Sequence, residues 1–139
     1  SHGADLFDCV MPTRHARRGN LFTWKGRLSI KNTRHAEDPS PIDPDCACPT
    51  CRRGFSRAYL RHLFQAGEAL GQRLMTLHNL FFYQDTLRRA REALRVGNFS
   101  TWAEDALAGP LGRDPEGPPG GGDPPLAGEV GIRRILTDD

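Results

Sequence analysis

The sequence predicts an α/β chain with a strand-bearing front, a metal-binding loop at its centre, helices behind it and a disordered tail. Three observations predict this. Apolar runs at 6–10 and 21–30 suit strands, three of the four cysteines fall within six residues at 46–51, and leucines recur at helical spacing from Leu60 to Leu94. With 139 residues, 37% of them hydrophobic, the chain has material for one ordinary domain with a modest core.

The first element is "LFDCV" (6–10), a short apolar run with one acid inside it, the pattern of a buried strand. "PTRHARRGN" (12–20) reads as a polar, basic loop. "LFTWKGRLSIKN" (21–32) offers two strand-like runs around Lys25-Gly26, a hairpin in which glycine supplies the positive φ. "EDPSPIDPDCACPTC" (37–51) holds four prolines and four acids in 15 residues, so no ladder of backbone hydrogen bonds is expected to order it. From Ser56, an N-cap, a helix is predicted through Leu60, Leu63, Phe64, Leu70 and Leu74. A second runs through Leu77, Leu80, Phe81, Gln84, Leu87 and Leu94 and stops at Gly97, a natural residue to follow a helix end. A third, short helix is predicted from Thr101, where Thr-Trp-Ala-Glu has the form of a capping box. Residues 109–128 hold seven glycines and six prolines, too little apolar surface to offset chain entropy, so 109–139 is expected to be disordered.

The net charge of +2 hides an uneven distribution. Residues 1–35 carry seven basic side chains against two acidic ones, whereas 109–139 carry three basic and six acidic. No apolar run approaches the ~18 residues that span a bilayer and there is no leader pattern, so a cytoplasmic location is expected. The chain opens with Ser1 and an apolar run follows at Leu6, as expected of a piece that starts inside something larger.

Cys46, Cys48 and Cys51 form Cys-x-Cys-x-x-Cys. Three thiolates so close repel one another unless a cation sits between them, and Zn²⁺ accepts sulfur and imidazole in a tetrahedral shell. Candidates for a fourth ligand are Cys9, His35, His62 and His78. His78 is preferred because it lies near the start of the second helical pattern and can face back toward the loop, with His62 the runner-up. A closed shell of this kind leaves no position for water and is structural. A redox Cys48-x-x-Cys51 pair would leave Cys46 unexplained, and a disulfide framework does not suit a cytosolic chain with cysteines bunched in this way.

Asp8 lies inside the apolar run, where a carboxylate loses hydration and either finds donors or is kept for chemistry. A salt bridge or a strand-end cap is the commoner fate of such an acid. Here, however, a loop with Arg14, Arg17 and Arg18 follows at once, a surface suited to phosphates. Without interleaved aromatics these arginines suit a solvated face as well.

"DLFDCVMPTRHARRGNLFT", "DPDCACPTC", "SRAYLRHL", "GEALGQRLMTLHNLFFY" and "ALRVGNFSTWAEDAL" together resemble, in order and nearly without gaps from about residue 3 to 108, the C-terminal third of bacterial tRNA-guanine transglycosylases, or queuine tRNA-ribosyltransferases. The resemblance implies a TIM barrel with a zinc-binding insertion, divided here into a last barrel strand, anticodon loop and hairpin (1–35), a zinc subdomain with C-terminal helices (36–108) and the tail. It implies that Asp8 is the nucleophile that attacks C1′ of the wobble guanosine, that Thr13, Arg14 and Arg17 grip the tRNA anticodon loop, and that Cys46, Cys48, Cys51 and His78 bind structural zinc. It further implies a 7-deazaguanine base, preQ1, as second substrate, and a homodimer when the enzyme is complete. A barrel needs on the order of 250 residues, so this chain is expected to be an incomplete catalytic domain, inactive alone. Arg18 and an extra residue around Gly54 and Phe55 depart from the family pattern. A non-catalytic zinc module that binds RNA or a partner subunit is the alternative, and in it the nucleophile would be expected to be missing.

Overall fold

The computed structural model describes residues 8–109 and Leu111. In chain order the elements are α1 (Met11–Arg17), β1 (Asn20–Thr23), β2 (Gly26–Ser29), a 3-10 turn at Thr33–His35, α2 (Pro49–Arg52), α3 (Arg57–Gln65), α4 (Ala69–Arg95) and α5 (Phe99–Ala108). α4, at 27 residues, is the axis of the fold: α1, β1, α2, α3 and α5 all lie against it. Among the described residues the sheet is a two-stranded hairpin, and the rest is helix and loop. The (β/α)8 barrel expected of the complete family fold is not formed by these elements.

Two expectations fail at the front. Leu6 and Phe7 of the predicted strand lie outside the described residues, while Asp8, Cys9 and Val10 are exposed and adopt no regular structure. The predicted basic loop is instead the helix α1. Pro12 sits in its first turn, where a missing N–H costs nothing, and Pro12 and Ala16 are buried while Arg14 and Arg17 stay in water. A seven-residue helix is marginal by itself, so docking on α4 holds it.

The hairpin forms in the register Leu21↔Leu28, Phe22↔Arg27 and Thr23↔Gly26, with Trp24-Lys25 as the turn and Gly26 opening the second strand. Thr23 locks the turn: its hydroxyl donates to the Gly26 carbonyl at 2.7 Å and accepts from the Lys25 N–H at 3.2 Å. Phe22 and Trp24 both reach Phe82 of α4, at ring separations of 6.0 and 4.9 Å, and Arg89 stacks on Trp24 at 3.9 Å.

Residues 36–48 are irregular, as the prolines predict, and carboxylates order them. Asp43, 1% exposed, accepts from the N–H groups of Trp24 at 2.9 Å and Asp45 at 3.0 Å, tying the hairpin turn to the cysteine loop. Asp38 accepts from the Ser40 N–H at 2.9 Å and pairs with Arg57 at 3.0 Å. Burial opposes its charge, but those donors hold its carboxyl at about 2.

Ser56 caps α3, accepting from the Tyr59 N–H at 3.1 Å. α3 ends earlier than the leucine pattern predicts. Gly67, at φ +72, turns the chain; the N–H of Gly67 bonds to the Phe64 carbonyl and that of Glu68 to the Leu63 carbonyl, the Schellman pattern, so Leu70 and Leu74 belong to α4. The same pair of bonds closes α4 at Gly97 and Asn98. α5 consequently starts at Phe99 with Asn98 as its cap residue, two residues before the predicted capping box.

α4 carries apolar residues on both sides. The buried side holds Leu74, Met75, His78, Asn79 and Phe82, while Leu77, Leu80, Leu87 and Leu94 are 41–61% exposed. The predicted tail lies outside the described residues apart from Gly109 and Leu111.

α3 and α4 cross so tightly at Gly71 that an added Cβ would stand 2.8 Å from the Leu63 Cβ. Gly71→Ala is therefore expected to lower the unfolding free energy by about 1–3 kcal/mol in urea titrations, although alanine is the better helix former.

A buried Cys3His cluster beside a basic helix

Cys46 and Cys48 lie in the irregular loop and Cys51 in α2, while His78 comes from the third turn of α4. The cysteines are 0–8% exposed and His78 is fully buried. The sulfurs of Cys46, Cys48 and Cys51 stand 3.7, 3.4 and 3.5 Å from His78 Nδ1, and all four donor atoms lie within 4.8 Å of one another. A tetrahedral shell with Zn–S near 2.3 Å and Zn–N near 2.0–2.1 Å requires S···N edges of about 3.6 Å. The donors already have that spacing, so the site can hold a metal ion.

The loop is built to present sulfur. The Cys48 N–H donates to the Cys46 sulfur at 3.4 Å, and the Cys51 N–H donates to the Cys48 sulfur at 3.3 Å, which makes Cys48 the N-cap of α2. Pro49 follows in the first turn, where no donor is lost. Thr50 fixes α2 to α4 by donating to the Leu74 carbonyl at 2.8 Å.

On the other side of the ring, His78 Nε2 lies 2.7 Å from the Phe22 carbonyl, and as its N–H partner settles the tautomer that leaves Nδ1 facing the sulfurs. Without a cation the cluster shares protons. Cys46 and Cys51 donate toward the Cys48 sulfur and pull its thiol far down, and sharing with Cys46 and Cys48 pushes Cys51 up. Burial disfavours a charged His78, yet the Cys46 and Cys48 sulfurs outweigh it and hold the imidazole up at about 9.

The other candidate ligands lie elsewhere. Cys9 is exposed, as is His62 on α3. His35 is buried but faces Asp38, at 3.3 Å, and Arg34. Of the residues assigned to RNA, Arg14 and Arg17 are exposed on α1, and Thr13 is half-buried with its hydroxyl on the Val10 carbonyl at 3.1 Å. Thr13 and Arg17 line one wall of an open cavity of about 540 Å³; Gln72, Arg73, Thr76 and Leu77 of α4 line the other. Arg73 escaped the sequence reading because its basic partner is more than 50 residues away and only the fold brings them together. Asn79 escaped as well, though a polar residue beside His78 on a buried helical face was a visible signal. No helix among the described residues is long and apolar enough to cross a membrane.

The family model described as queuine tRNA-ribosyltransferase matches residues 1–109. The chain belongs to this family. The queuine tRNA-ribosyltransferase of Desulfosudis oleivorans is 52% identical over 118 residues, 81% of this chain and 30% of that protein. That of Sorangium cellulosum is 54% identical over 101 residues, covering 73% and 26%, and that of Neisseria meningitidis 56% over 102 residues, covering 73% and 27%. The chain thus spans less than a third of the length of these family members.

Filling the cluster requires thiolates and a neutral imidazole, so metal binding releases protons and affinity falls as pH falls. The purified chain is expected to carry one zinc, lost in Cys48→Ser and in His78→Ala and kept in His62→Ala, by elemental analysis. Competition against a chelator is expected to give about tenfold or more weaker binding on going from about pH 8 to about pH 6.

Proposed function

We propose that this chain is the nucleophile- and zinc-bearing portion of a tRNA-guanine transglycosylase of queuosine biosynthesis, a glycosyltransferase that exchanges the wobble guanine of a tRNA anticodon for the 7-deazaguanine preQ1. The observation that carries this reading is one continuous arrangement within the family match: Asp8 exposed three residues before α1, Thr13, Arg14 and Arg17 on α1, and the buried Cys3His cluster beneath.

In the complete enzyme an oxygen of the Asp8 carboxylate attacks C1′ of the guanosine. The C1′–N9 bond breaks and guanine leaves with the bonding pair, taking up a proton. The incoming base then attacks C1′ through N9, losing its proton, and the aspartyl ester bond breaks to return the carboxylate. Two displacements at one carbon retain its configuration and divide one hard substitution into two easier ones, the logic of retaining glycosidases. The Arg14 and Arg17 guanidiniums pair with backbone phosphates and hold the anticodon over Asp8.

Cys46, Cys48, Cys51 and His78 would hold zinc, which supplies structure alone because four protein ligands close its shell. His78, anchored on Phe22, transmits that order to the hairpin. With less than a third of the family length, the chain alone lacks the partner groups for exchange. The exposed leucines of α4 fit a portion that the rest of the enzyme covers. The complete enzyme would act as a cytoplasmic homodimer. A non-catalytic RNA-binding or subunit-binding zinc module is the second reading, and the presence of Asp8 favours the first.

In an enzyme completed with the missing portion of a relative, Asp8→Ala is expected to abolish the covalent RNA adduct on denaturing gels and to lower kcat by about 10⁴-fold or more. An adduct that survives would remove Asp8 from this role. Arg14→Ala and Arg17→Ala are each expected to weaken RNA binding about tenfold and to reduce the salt slope by about one.

A further inference from the structure

α1 carries the basic residues assigned to RNA, yet it is only seven residues long and cannot hold its own conformation. Pro12 and Ala16 are its buried residues, and His15 meets the Phe22 ring edge-on at 5.2 Å, contacts that carry little hydrogen-bond direction. Something directional has to fix its orientation.

One buried side chain of α4 supplies hydrogen bonds to the front of the chain. Asn79 is fully buried on α4 and spends three hydrogen bonds on the front of the chain: its amide nitrogen donates to the carbonyls of Pro12 and Asn20, both at 3.0 Å, and its oxygen accepts from the Phe22 N–H at 3.2 Å. In an antiparallel pair alternate residues turn their N–H and C=O away from the partner strand. Asn20 and Phe22 are such residues on β1, and Asn79 occupies that outward edge where a third strand would otherwise sit. The next ring over, His78, takes the Phe22 carbonyl at 2.7 Å. Consecutive residues of one helix therefore hold both polar groups of one peptide-forming residue, and Asn79 alone extends the grip to α1, at the residue immediately before Thr13.

We propose that Asn79 is a positioning residue: it sets the orientation of α1, and through it the phosphate-facing surface of Arg14 and Arg17, relative to the metal-ligated helix. The proposal rests on the reading of α1 as an RNA-gripping helix for its functional half. Its structural half, the fastening of α1, stands without RNA. The amide is chemically suited to the task. An aspartate would present no donor to the two carbonyls, and a leucine would fill the space and bond to none of the three groups.

The test uses the full zinc-loaded chain with Asn79→Ala and the volume-keeping Asn79→Leu. Three readouts are compared with the parent: zinc per chain, amide hydrogen exchange resolved by segment, and affinity for a synthetic anticodon stem-loop RNA at two salt concentrations. Both variants are expected to keep one zinc, to exchange the α1 amides at least about tenfold faster with α3 unchanged, and to bind the RNA about tenfold more weakly. Arg17→Ala is expected to cost much less in the Asn79→Ala background than in the parent, because an unfixed helix no longer presents the guanidinium. Unchanged α1 exchange with zinc retained would overturn the proposal, as would loss of zinc with faster exchange everywhere, which would make Asn79 an ordinary core residue. If Asn79→Ala does not fold, Asn79→Leu decides on the same readouts. A parent chain that fails to bind the RNA would count against the functional reading alone, since exchange reports the fastening of α1 in its absence.

Discussion

The two ring nitrogens of His78 work in opposite directions, and the remainder of the fold depends on that division. Nδ1 faces three sulfurs and Nε2 the Phe22 carbonyl. One fully buried ring therefore joins the cysteine loop, the long helix and the hairpin. The hydrogen bond to Phe22 also selects the tautomer that turns the Nδ1 lone pair toward the sulfurs. A histidine held on only one side would satisfy a metal or a hairpin, but would not set one against the other.

Around that ring, side-chain acceptors replace the ladders that a proline-rich segment cannot form. Asp43 binds the Trp24 N–H, Asp38 binds Ser40 and Arg57, and the sulfurs of Cys46 and Cys48 accept backbone N–H groups. Each acceptor is local to the loop or one element away. A carboxylate buried beside such donors contributes only while it is ionised. The share due to Asp38, whose carboxyl is lowered from 3.8 to about 2, is fully present above the higher value and is lost as the pH falls through the lower one.

Much of this was legible from residue types and spacing. The cysteine triplet, the cap at Ser56 and the stop at Gly97 are short-range chemistry, and the donor atoms of the three cysteines and His78 do converge. What could not be read has physical causes. α1 looks like a loop because its stabilisation comes from a helix more than 50 residues away and not from its own pattern. The leucines at 77, 80, 87 and 94 gave the helix but not its buried side, because apolar residues stand on more than one side of it and blur the phase of the periodicity. Gly67 ended α3 by adopting a positive φ while Leu70 and Leu74 still fitted its pattern. Arg73 joins Arg17, and Asn79 joins Pro12, only across the folded interface.

The separations along the chain also bear on what it costs to close these contacts. Cys48 and His78 are 30 residues apart, and Pro12 and Asn79 are 67 apart. Loop-closure entropy grows only slowly with length, so these two closures differ by about 0.7 kcal/mol if made independently. They are not independent: once the imidazole has captured the Phe22 carbonyl, the span left for α1 to close runs only from Pro12 to Phe22. The cysteine loop and the hairpin thus shorten the span that the basic helix has to close. The contact with the widest separation along the sequence, Pro12 to Asn79, is thereby closed over a span of about ten residues.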